Sequence, residues 1–164
     1  MAALFVDLLL IVIYACCLFG VVFLITGGEP VQLSPYMGQL VAFLTLTLPA
    51  LVYFVITENS SHQASIGKRL FKLKVSAVDG SKAPLSAIVV RNVVKLLPWE
   101  IAHAFIQALF YYLNLHKEME VPAWVLIGLV IPQVAVAVYA LLPLLSHTEQ
   151  SVDDLLSKTK VIMK

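Results

Sequence analysis

A carboxylic acid and an imidazole lie three residues apart in the sequence LPWEIAH, within an otherwise apolar stretch of the chain. They belong to Glu100 and His103. A carboxyl group in a region of low dielectric takes up a proton more readily than one in water, and an imidazole changes its charge near neutral pH. The pair could therefore exchange a proton for a cation, which is the chemistry of an ion-coupled site.

Four further polar residues share a helical face with this pair. On a helix that turns about 100° per residue, they fall with Glu100 and His103 in one stripe about 100° wide: Asn92, Gln107, Tyr111 and Asn114. A charge at bilayer depth costs about 2.5–3.5 kcal/mol on insertion scales, so such residues face the interior of a bundle or a wet cavity. We expect the stripe to face inward with Gln107 assisting Glu100, or else to act only as hydrogen-bonded contact between helices.

The composition is that of a membrane protein, because 60% of the residues are hydrophobic and 13% are charged. Such a balance is far from that of soluble globular domains. Four stretches are long and apolar enough to cross a bilayer as helices. They cover about residues 4–26, 37–57, 85–115 and 122–145 of a single domain, 1–164.

The basic residues indicate the orientation of these helices. Seven of the eleven Lys and Arg residues lie between the second helix and the apolar part of the third: Lys68, Arg69, Lys72, Lys74, Lys82, Arg91 and Lys95. The positive-inside rule makes the segment 58–84 cytoplasmic. The tail, 146–164, carries three more lysines, so both termini are predicted to be cytoplasmic.

Two short elements are predicted on the cytoplasmic side. SHQASIGKRLFK reads as an amphipathic helix of one or two turns at the anionic membrane surface. LKVSAV alternates apolar and polar residues and ends at an Asp-Gly turn, which is typical of a strand. We expect a small β-ribbon in which Lys72–Asp79 pairs with Thr159–Met163. The predicted fold is thus an all-α integral membrane protein with four transmembrane helices, a short amphipathic helix and this ribbon.

Several charged residues outside the stripe have two interpretations. Asp7 is either a helix cap or a buried partner of Arg91 or Lys95, and it could assist the ion site. Asp153 and Asp154 could also be caps, and Asp154 could likewise assist.

The basic residues near the predicted membrane surface also have two interpretations. They either form structural ion pairs or contact lipid headgroups, and for Lys95 the headgroup contact is favoured. The residues are Arg91, Lys95, Lys68 and Arg69.

Other functional classes have little support in the sequence. Glu100 and His103 resemble half of a di-metal motif, but the second half would have to come from a two-fold dimer. No hydrolase, zinc-protease or nucleotide-binding motif is present, so we expect neither an enzyme nor a cofactor, and no nucleic-acid partner. Cys16 and Cys17 are adjacent and are interpreted as packing residues.

Three patches resemble the RDD family of small bacterial membrane proteins, which is named for one Arg and two Asp. FVDLLL resembles its first-helix motif with Asp7 at the aspartate. ASIGKRLFKLKVSAVDGS with VVRNVVKLLPW resembles its central loop and helix entry, and EQSVDDLLSKTKVI resembles its terminal motif with Asp154 and Thr159 at matching positions. The family's Arg normally precedes the first-helix Asp by about two turns, where this chain has no residue. Arg91 is the expected substitute.

The resemblance implies a multispan bacterial inner-membrane protein that transports solutes, with members similar to cation/proton antiporters. We therefore expect a small transporter that exchanges Na⁺ or Li⁺ for H⁺, with Glu100 binding the cation or proton and His103 relaying the proton. Four helices are few for alternating access, so a homodimer is expected. The alternative is a scaffold without transport activity that binds a partner protein or anionic lipid through its basic cytoplasmic segment.

Overall fold

A computed structural model describes residues 2–29, 31, 33–115, 120–145 and 150–164, without the side chains of residues 114, 115, 140 and 143–145. The predicted tail therefore begins outside the described residues, as does the loop before the fourth helix. The chain is mainly helical with one small sheet. In order, its elements are α1 (Ala2–Thr26), α2 (Pro35–Ala42), a π-helical turn (Phe43–Thr47), α3 (Leu48–Asn59), α4 (Ile66–Leu70), β1 (Leu73–Ala77), α5 (Leu85–Leu115), α6 (Ala123–Leu145), α7 (Val152–Ser157) and β2 (Thr159–Met163).

Three helices are long and apolar enough to cross a membrane: α1, the continuous helix Pro35–Asn59, and the α5 stretch Leu85–Leu113. The fourth predicted span corresponds to α6, and its described side chains form an apolar stretch over Ala123–Tyr139. Large apolar side chains face outward along all of these helices, for example Leu24, which is 79% exposed. A hydrocarbon environment accepts such side chains, so the exterior is that of a membrane protein.

The predicted ribbon is confirmed. β1 and β2 are antiparallel, and their register runs from Leu73 opposite Met163 to Ala77 opposite Thr159. The strand ends in the predicted turn, where Gly80 has a φ of 89°. Hydrogen bonds from the Ser81 hydroxyl and amide lower the pKa of Asp79. The ribbon connects the chain before α5 to the chain after α6, and we call this end of the molecule the ribbon end.

The start of α1 also lies at the ribbon end, because α4 packs against it. A Cβ atom on Gly67 would lie 2.1 Å from the carbonyl oxygen of Ala3, so only glycine allows this approach. The helix predicted for SHQASIGKRLFK is therefore present as the five-residue α4. It packs on the first helix rather than only covering the surface.

Two prolines inside the long helices remove backbone donors, and tyrosines from neighbouring helices supply donors in their place. In an α-helix the N–H of position 49 would bond to the carbonyl of Thr45, but Pro49 has none. Tyr14 of α1 donates to that carbonyl at 2.7 Å. In α5, Pro98 leaves the carbonyl of Val94 without its α-helical donor, and Tyr139 of α6 donates to this carbonyl at 3.4 Å. These contacts connect neighbouring helices at their prolines.

A thin apolar layer lies between the polar interior of the ribbon end and the middle of the bundle. It consists of Ala50 and Phe54 of α3 and Leu96 of α5. Glu58 of α3 lies on one side of this layer, and Glu100 of α5 lies on the other side. This layer separates two polar clusters with different chemistry.

Candidate functional site

Glu100 lies at the middle of α5 and faces the helix Pro35–Asn59. Gln39 donates from Nε2 to Oε1 of Glu100 at 2.5 Å, and Thr47 donates from Oγ1 to Oε2 at 2.5 Å. The Glu100 side chain is 25% exposed. Two neutral donors thus hold a carboxylate inside the bundle, as the predicted inward orientation of the stripe requires.

The π-helical turn brings Gln39 and Thr47 to the same carboxylate. Eight residues along a regular α-helix would separate their directions by about 80°. A π-turn accommodates about one extra residue in a turn, which reduces the separation to about 20°. Thr47 is the last residue of this turn, and both side chains reach Glu100. Sequence reasoning missed Gln39 and Thr47 because it treated this helix as regular.

His103 lies beside Glu100 but contacts it loosely. Its Nδ1 is 3.8 Å from Oε2 of Glu100 and 3.4 Å from Oγ1 of Thr47. Gln107 packs its amide against Gly38 of α2, where a Cβ atom would lie 2.3 Å from its Oε1. The structure brings His103 to Glu100, and it places Gln107 further along the same interface.

Of the remaining stripe residues, Asn92 belongs to another cluster. Asn92 bonds to Glu58 on the other side of the apolar layer, at 3.0 Å. Tyr111 packs edge-on against Tyr112, with ring centroids 5.7 Å apart. Asn114 lies outside the side chains that the structure describes. Asn92, Glu100 and Gln107 all contact the helix Pro35–Asn59, and Leu96 with Phe54 separates Asn92 from the other two.

One acceptor near Glu100 has no donor among the described residues. Oε1 of Gln39 is buried and makes no hydrogen bond with them, although the amide nitrogen of the same group reaches Glu100. Buried polar atoms normally have a partner. This oxygen, the Glu100 carboxylate and the Thr47 hydroxyl are all of the type that hard cations prefer as ligands.

Glu58, at the ribbon end, was missed by sequence reasoning and is fully buried, with 0% exposure. Lys68 contacts its Oε1 at 2.7 Å, and Lys95 contacts the same atom at 3.5 Å. Arg91 approaches its Oε2 at 3.5 Å. The available signal was an acid at the end of the second apolar helix, directly before the most basic segment of the chain.

Arg91 connects Glu58 to the C-terminal segment. Its Nη2 lies 3.2 Å from Asp153, and its Nη1 contacts Asp154 and bonds to Thr159 at 2.9 Å. Asp154 also completes a capping box at the start of α7, so the cap interpretation holds for it. Asp154 therefore belongs to this cluster, and no described contact joins it to Glu100.

The ribbon-end cluster is balanced in charge. Its cations Lys68, Arg91 and Lys95 match its anions Glu58, Asp153 and Asp154. Such pairing offsets much of the desolvation that burial imposes on each charge. We conclude that this cluster stabilises the ribbon end and leaves no net charge for an external ion.

Lys95 does not extend to the headgroups. Its ammonium bonds to Asn92 at 2.7 Å and lies 4.1 Å from the ring centre of Phe54. The expectation of a headgroup contact for Lys95 is therefore wrong, because Glu58 and the aromatic ring hold the side chain inside. Lys68 is also buried in an ion pair, whereas Arg69 is exposed and donates to the carbonyl of Ala64 at 3.0 Å.

Asp7 is neither a helix cap nor a partner of Arg91 or Lys95. It is 1% exposed and accepts hydrogen bonds from Tyr53 at 2.8 Å, Ser65 at 2.5 Å and the Gly67 amide at 2.9 Å. Both expectations for Asp7 are wrong, because it lies beyond the first turn of α1 and α4 occupies its surroundings. Arg91 consequently does not lie beside Asp7, so the expected substitution there is wrong.

Within the described residues, no group of three or more His, Cys, Asp and Glu side chains could hold a metal ion. Glu100 and His103 thus lack, within this part of one chain, the further ligands that a di-metal site needs.

Comparison with known proteins agrees with the membrane architecture. No curated protein and no solved structure matches the chain significantly. One family model does match, and it covers residues 1–161, nearly the whole chain. Together with the long apolar helices, this match shows that the protein is a membrane-type member of the RDD family.

Proposed function

We propose that this protein exchanges a monovalent cation, Na⁺ or Li⁺, for protons at Glu100. The observation that carries the proposal is that, among the described residues, Glu100 has only neutral side-chain donors at hydrogen-bonding distance, although it lies at the middle of an apolar helix. An ionised carboxylate in such a place needs a compensating charge. A bound proton or a bound cation supplies it, and the two compete for the same oxygens.

The other inward carboxylates described in the structure have more partners than Glu100. Glu58, Asp153 and Asp154 have Lys or Arg partners. Asp7 accepts three hydrogen bonds from neutral donors, one of which is a backbone amide. Glu100 accepts two such bonds and is partly exposed, so an exchangeable ion can reach it. For this reason we assign the exchange to Glu100 and not to Asp7 or Asp154.

The neighbours of Glu100 have distinct roles in this proposal. Thr47 and Gln39 supply neutral oxygens when the cation is bound, and rotation of the Gln39 amide brings Oε1 toward the carboxylate. The π-helical turn before Thr47 gives this segment an irregular backbone of the kind that lines ion sites in transporters. His103 receives or delivers the proton beside the carboxylate.

We further propose four spans with the ribbon end in the cytoplasm of a bacterial cell. Gly67, which follows the helix Pro35–Asn59, packs on the start of α1, so the first pair of long helices starts and ends on one side. β1 precedes α5 and pairs with β2, which follows α6, so the second pair does the same. The basic residues of that side support the cytoplasmic assignment. A homodimer fits the exposed amide of Gln133 on apolar α6, since a second chain could satisfy it.

Exchange can be measured with the full-length protein in lipid vesicles that carry a pH gradient and a fluorescent pH indicator. Adding Na⁺ or Li⁺ is expected to dissipate the gradient through the wild-type protein. Glu100→Gln should abolish this response, because an amide neither releases a proton nor carries the charge that holds a cation. Thr47→Val should lower the apparent cation affinity by about tenfold, as expected for one lost hydrogen-bonding oxygen at a charged group.

Glu120→Gln is the matched control, since it makes the same change at an exposed position outside the helices. It should retain the wild-type response. If folded Glu100→Gln protein exchanges cations as the wild type does, Glu100 is not the site. A wild-type protein that gives no response to either cation contradicts the exchange itself.

The scaffold alternative has less support from the geometry. It relies on the basic segment 58–84 as a binding surface, and Lys68 of that segment is paired with Glu58 inside the molecule. It predicts that Glu100→Gln lowers thermal stability in detergent and changes no flux. The vesicle assay therefore separates the two proposals.

A further inference from the structure

The ribbon end has a basic pocket that the proposed exchange does not use. The pocket has a volume of about 220 Å³ and is lined by His62, Ala64, Arg69, Lys72, Leu73 and Lys164. Three of these side chains are cationic at neutral pH, and none of the six is acidic. Positive charge remains in excess even if the α-carboxylate of Lys164 is counted. The pocket therefore favours an anion.

The backbone of the ribbon places two of these lysines side by side. Lys72 has a φ of 55° at the point where the chain passes from α4 to β1. The amide of Lys164 donates to the carbonyl of Lys72 at 2.7 Å, one step beyond the pair of Leu73 and Met163. This bond fixes the Cα atoms of the two lysines as neighbours, so their ammonium groups can approach one ligand.

Arg69 lies at the wall of the pocket, and not all of its N–H donors are used within the protein. Its Nε donates to the carbonyl of Ala64 at 3.0 Å, and its Nη2 donates to the hydroxyl of Ser60 at 3.4 Å. A guanidinium group has five N–H donors, so others remain for a ligand. A fixed guanidinium with neighbouring ammonium groups is suited to phosphate oxygens.

These cations differ from those of the buried cluster. Lys68 and Lys95 are paired with Glu58, whereas Arg69, Lys72 and Lys164 make no ion pair with an acidic side chain among the described residues. One set of cations thus pairs with carboxylates of the same chain. The other set is exposed and available to an external anion.

The residues next to the pocket indicate where that anion comes from. Leu70 and Phe71, which lie between Arg69 and Lys72 in the sequence, are 66% and 44% exposed, and Ile66 on the same short helix is 43% exposed. Exposed apolar side chains beside cations are typical of a segment that lies in the membrane interface. We infer that the pocket binds the headgroup phosphate of an anionic phospholipid while Leu70 and Phe71 enter the acyl layer.

The inference can be tested on the full-length protein in detergent by native mass spectrometry during titration with phosphatidylglycerol. The variant Lys72→Gln/Lys164→Gln should weaken lipid binding by about thirtyfold, from the usual contribution of two basic residues near an anionic surface. The control Lys82→Gln/Lys158→Gln removes the same charge from exposed lysines outside the pocket. It should weaken binding by about threefold or less, because only diffuse attraction is lost.

Further arms separate the sources of phosphate. Phosphatidylcholine should bind weakly to every variant, and inorganic phosphate should bind weakly without the lipid. Equal losses of lipid affinity in the two double variants would show that only diffuse attraction is lost and would contradict binding in the pocket. Tight binding of inorganic phosphate alone would overturn the lipid assignment in favour of a soluble phosphate compound. Glu100→Gln should leave lipid binding unchanged, so this inference and the proposed exchange fail separately.

Discussion

At the scale of single residues, compensation of charge distinguishes the two polar clusters. Glu58 is surrounded by cations and is 0% exposed. Glu100 is partly exposed and is held by neutral donors. The same residue type thus has two environments, because cationic side chains of the fold surround one carboxylate and neutral donors hold the other. We interpret Glu58 as structural and Glu100 as functional.

Glu58→Gln should destabilise the protein by about 3–5 kcal/mol, the usual cost of leaving buried charges without their partner. The change leaves Lys68 and Lys95 without the carboxylate that both contact. The free energy of unfolding in detergent, measured by denaturant titration, checks this prediction.

Glu29→Gln is the control, because Glu29 is exposed and its change should stay within about 0.5 kcal/mol. The double variant Glu58→Gln/Lys95→Gln should recover part of the loss, since it removes one unpaired cation. A Glu58→Gln protein as stable as the control would show that the cluster does not hold the ribbon end.

At the scale of elements, tyrosines join two of the long helices to their neighbours at prolines. Tyr14 and Tyr139 donate to the carbonyls that Pro49 and Pro98 leave without their α-helical donors. The sequence shows where these prolines lie. It gave no sign of which side chains would reach the carbonyls, because each donor comes from another helix.

Tyr14→Phe should lower the free energy of unfolding by about 1 kcal/mol, as expected for one interhelical hydrogen bond in a membrane protein. Tyr139→Phe should have a smaller effect, because its bond is 3.4 Å long against 2.7 Å for Tyr14. Tyr36→Phe serves as the control, since Tyr36 is 89% exposed. Equal stability of all three variants in a thermal unfolding assay would contradict a role for these bonds.

At the scale of the whole molecule, the ribbon and α4 gather the ends of the helices at one side. The ribbon pairs residues before α5 with residues after α6, and Gly67 attaches α4 to the start of α1. Buried charges concentrate at this end, whereas apolar side chains cover the rest of the long helices. The molecule therefore has a polar ribbon end, where non-covalent contacts join several elements, and an apolar helical bundle beyond it.

This arrangement predicts which positions react from one side of a membrane. In a Cys16→Ala/Cys17→Ala background, Lys82→Cys and Lys158→Cys should react together with a membrane-impermeant maleimide from the cytoplasmic side. Glu29→Cys and Glu120→Cys should react from the opposite side. Labelling of Lys82→Cys and Lys158→Cys from different sides of the membrane would contradict the four-span topology.

Much of the fold was predictable from the sequence, and less of the candidate site was. Hydropathy marked the long helices, and alternation with an Asp-Gly turn marked the ribbon, because both signals are local. Glu100 and His103 were found by their residue types. The partners of Glu100 were missed, since the π-helical turn changes the face on which Thr47 lies. Arg91 was expected beside Asp7, but its contacts are with α7 and β2, which are remote in sequence.

The sequence by itself determined the membrane class, the ribbon, the family and the presence of an acid and an imidazole in an apolar helix, because composition and short-range pattern control these features. Only the tertiary structure decided which carboxylates are neutralised. Glu58, Asp153 and Asp154 meet cations through contacts between distant segments, and Glu100 does not. Charge compensation depends on distances across the bundle, and a linear pattern does not specify those distances.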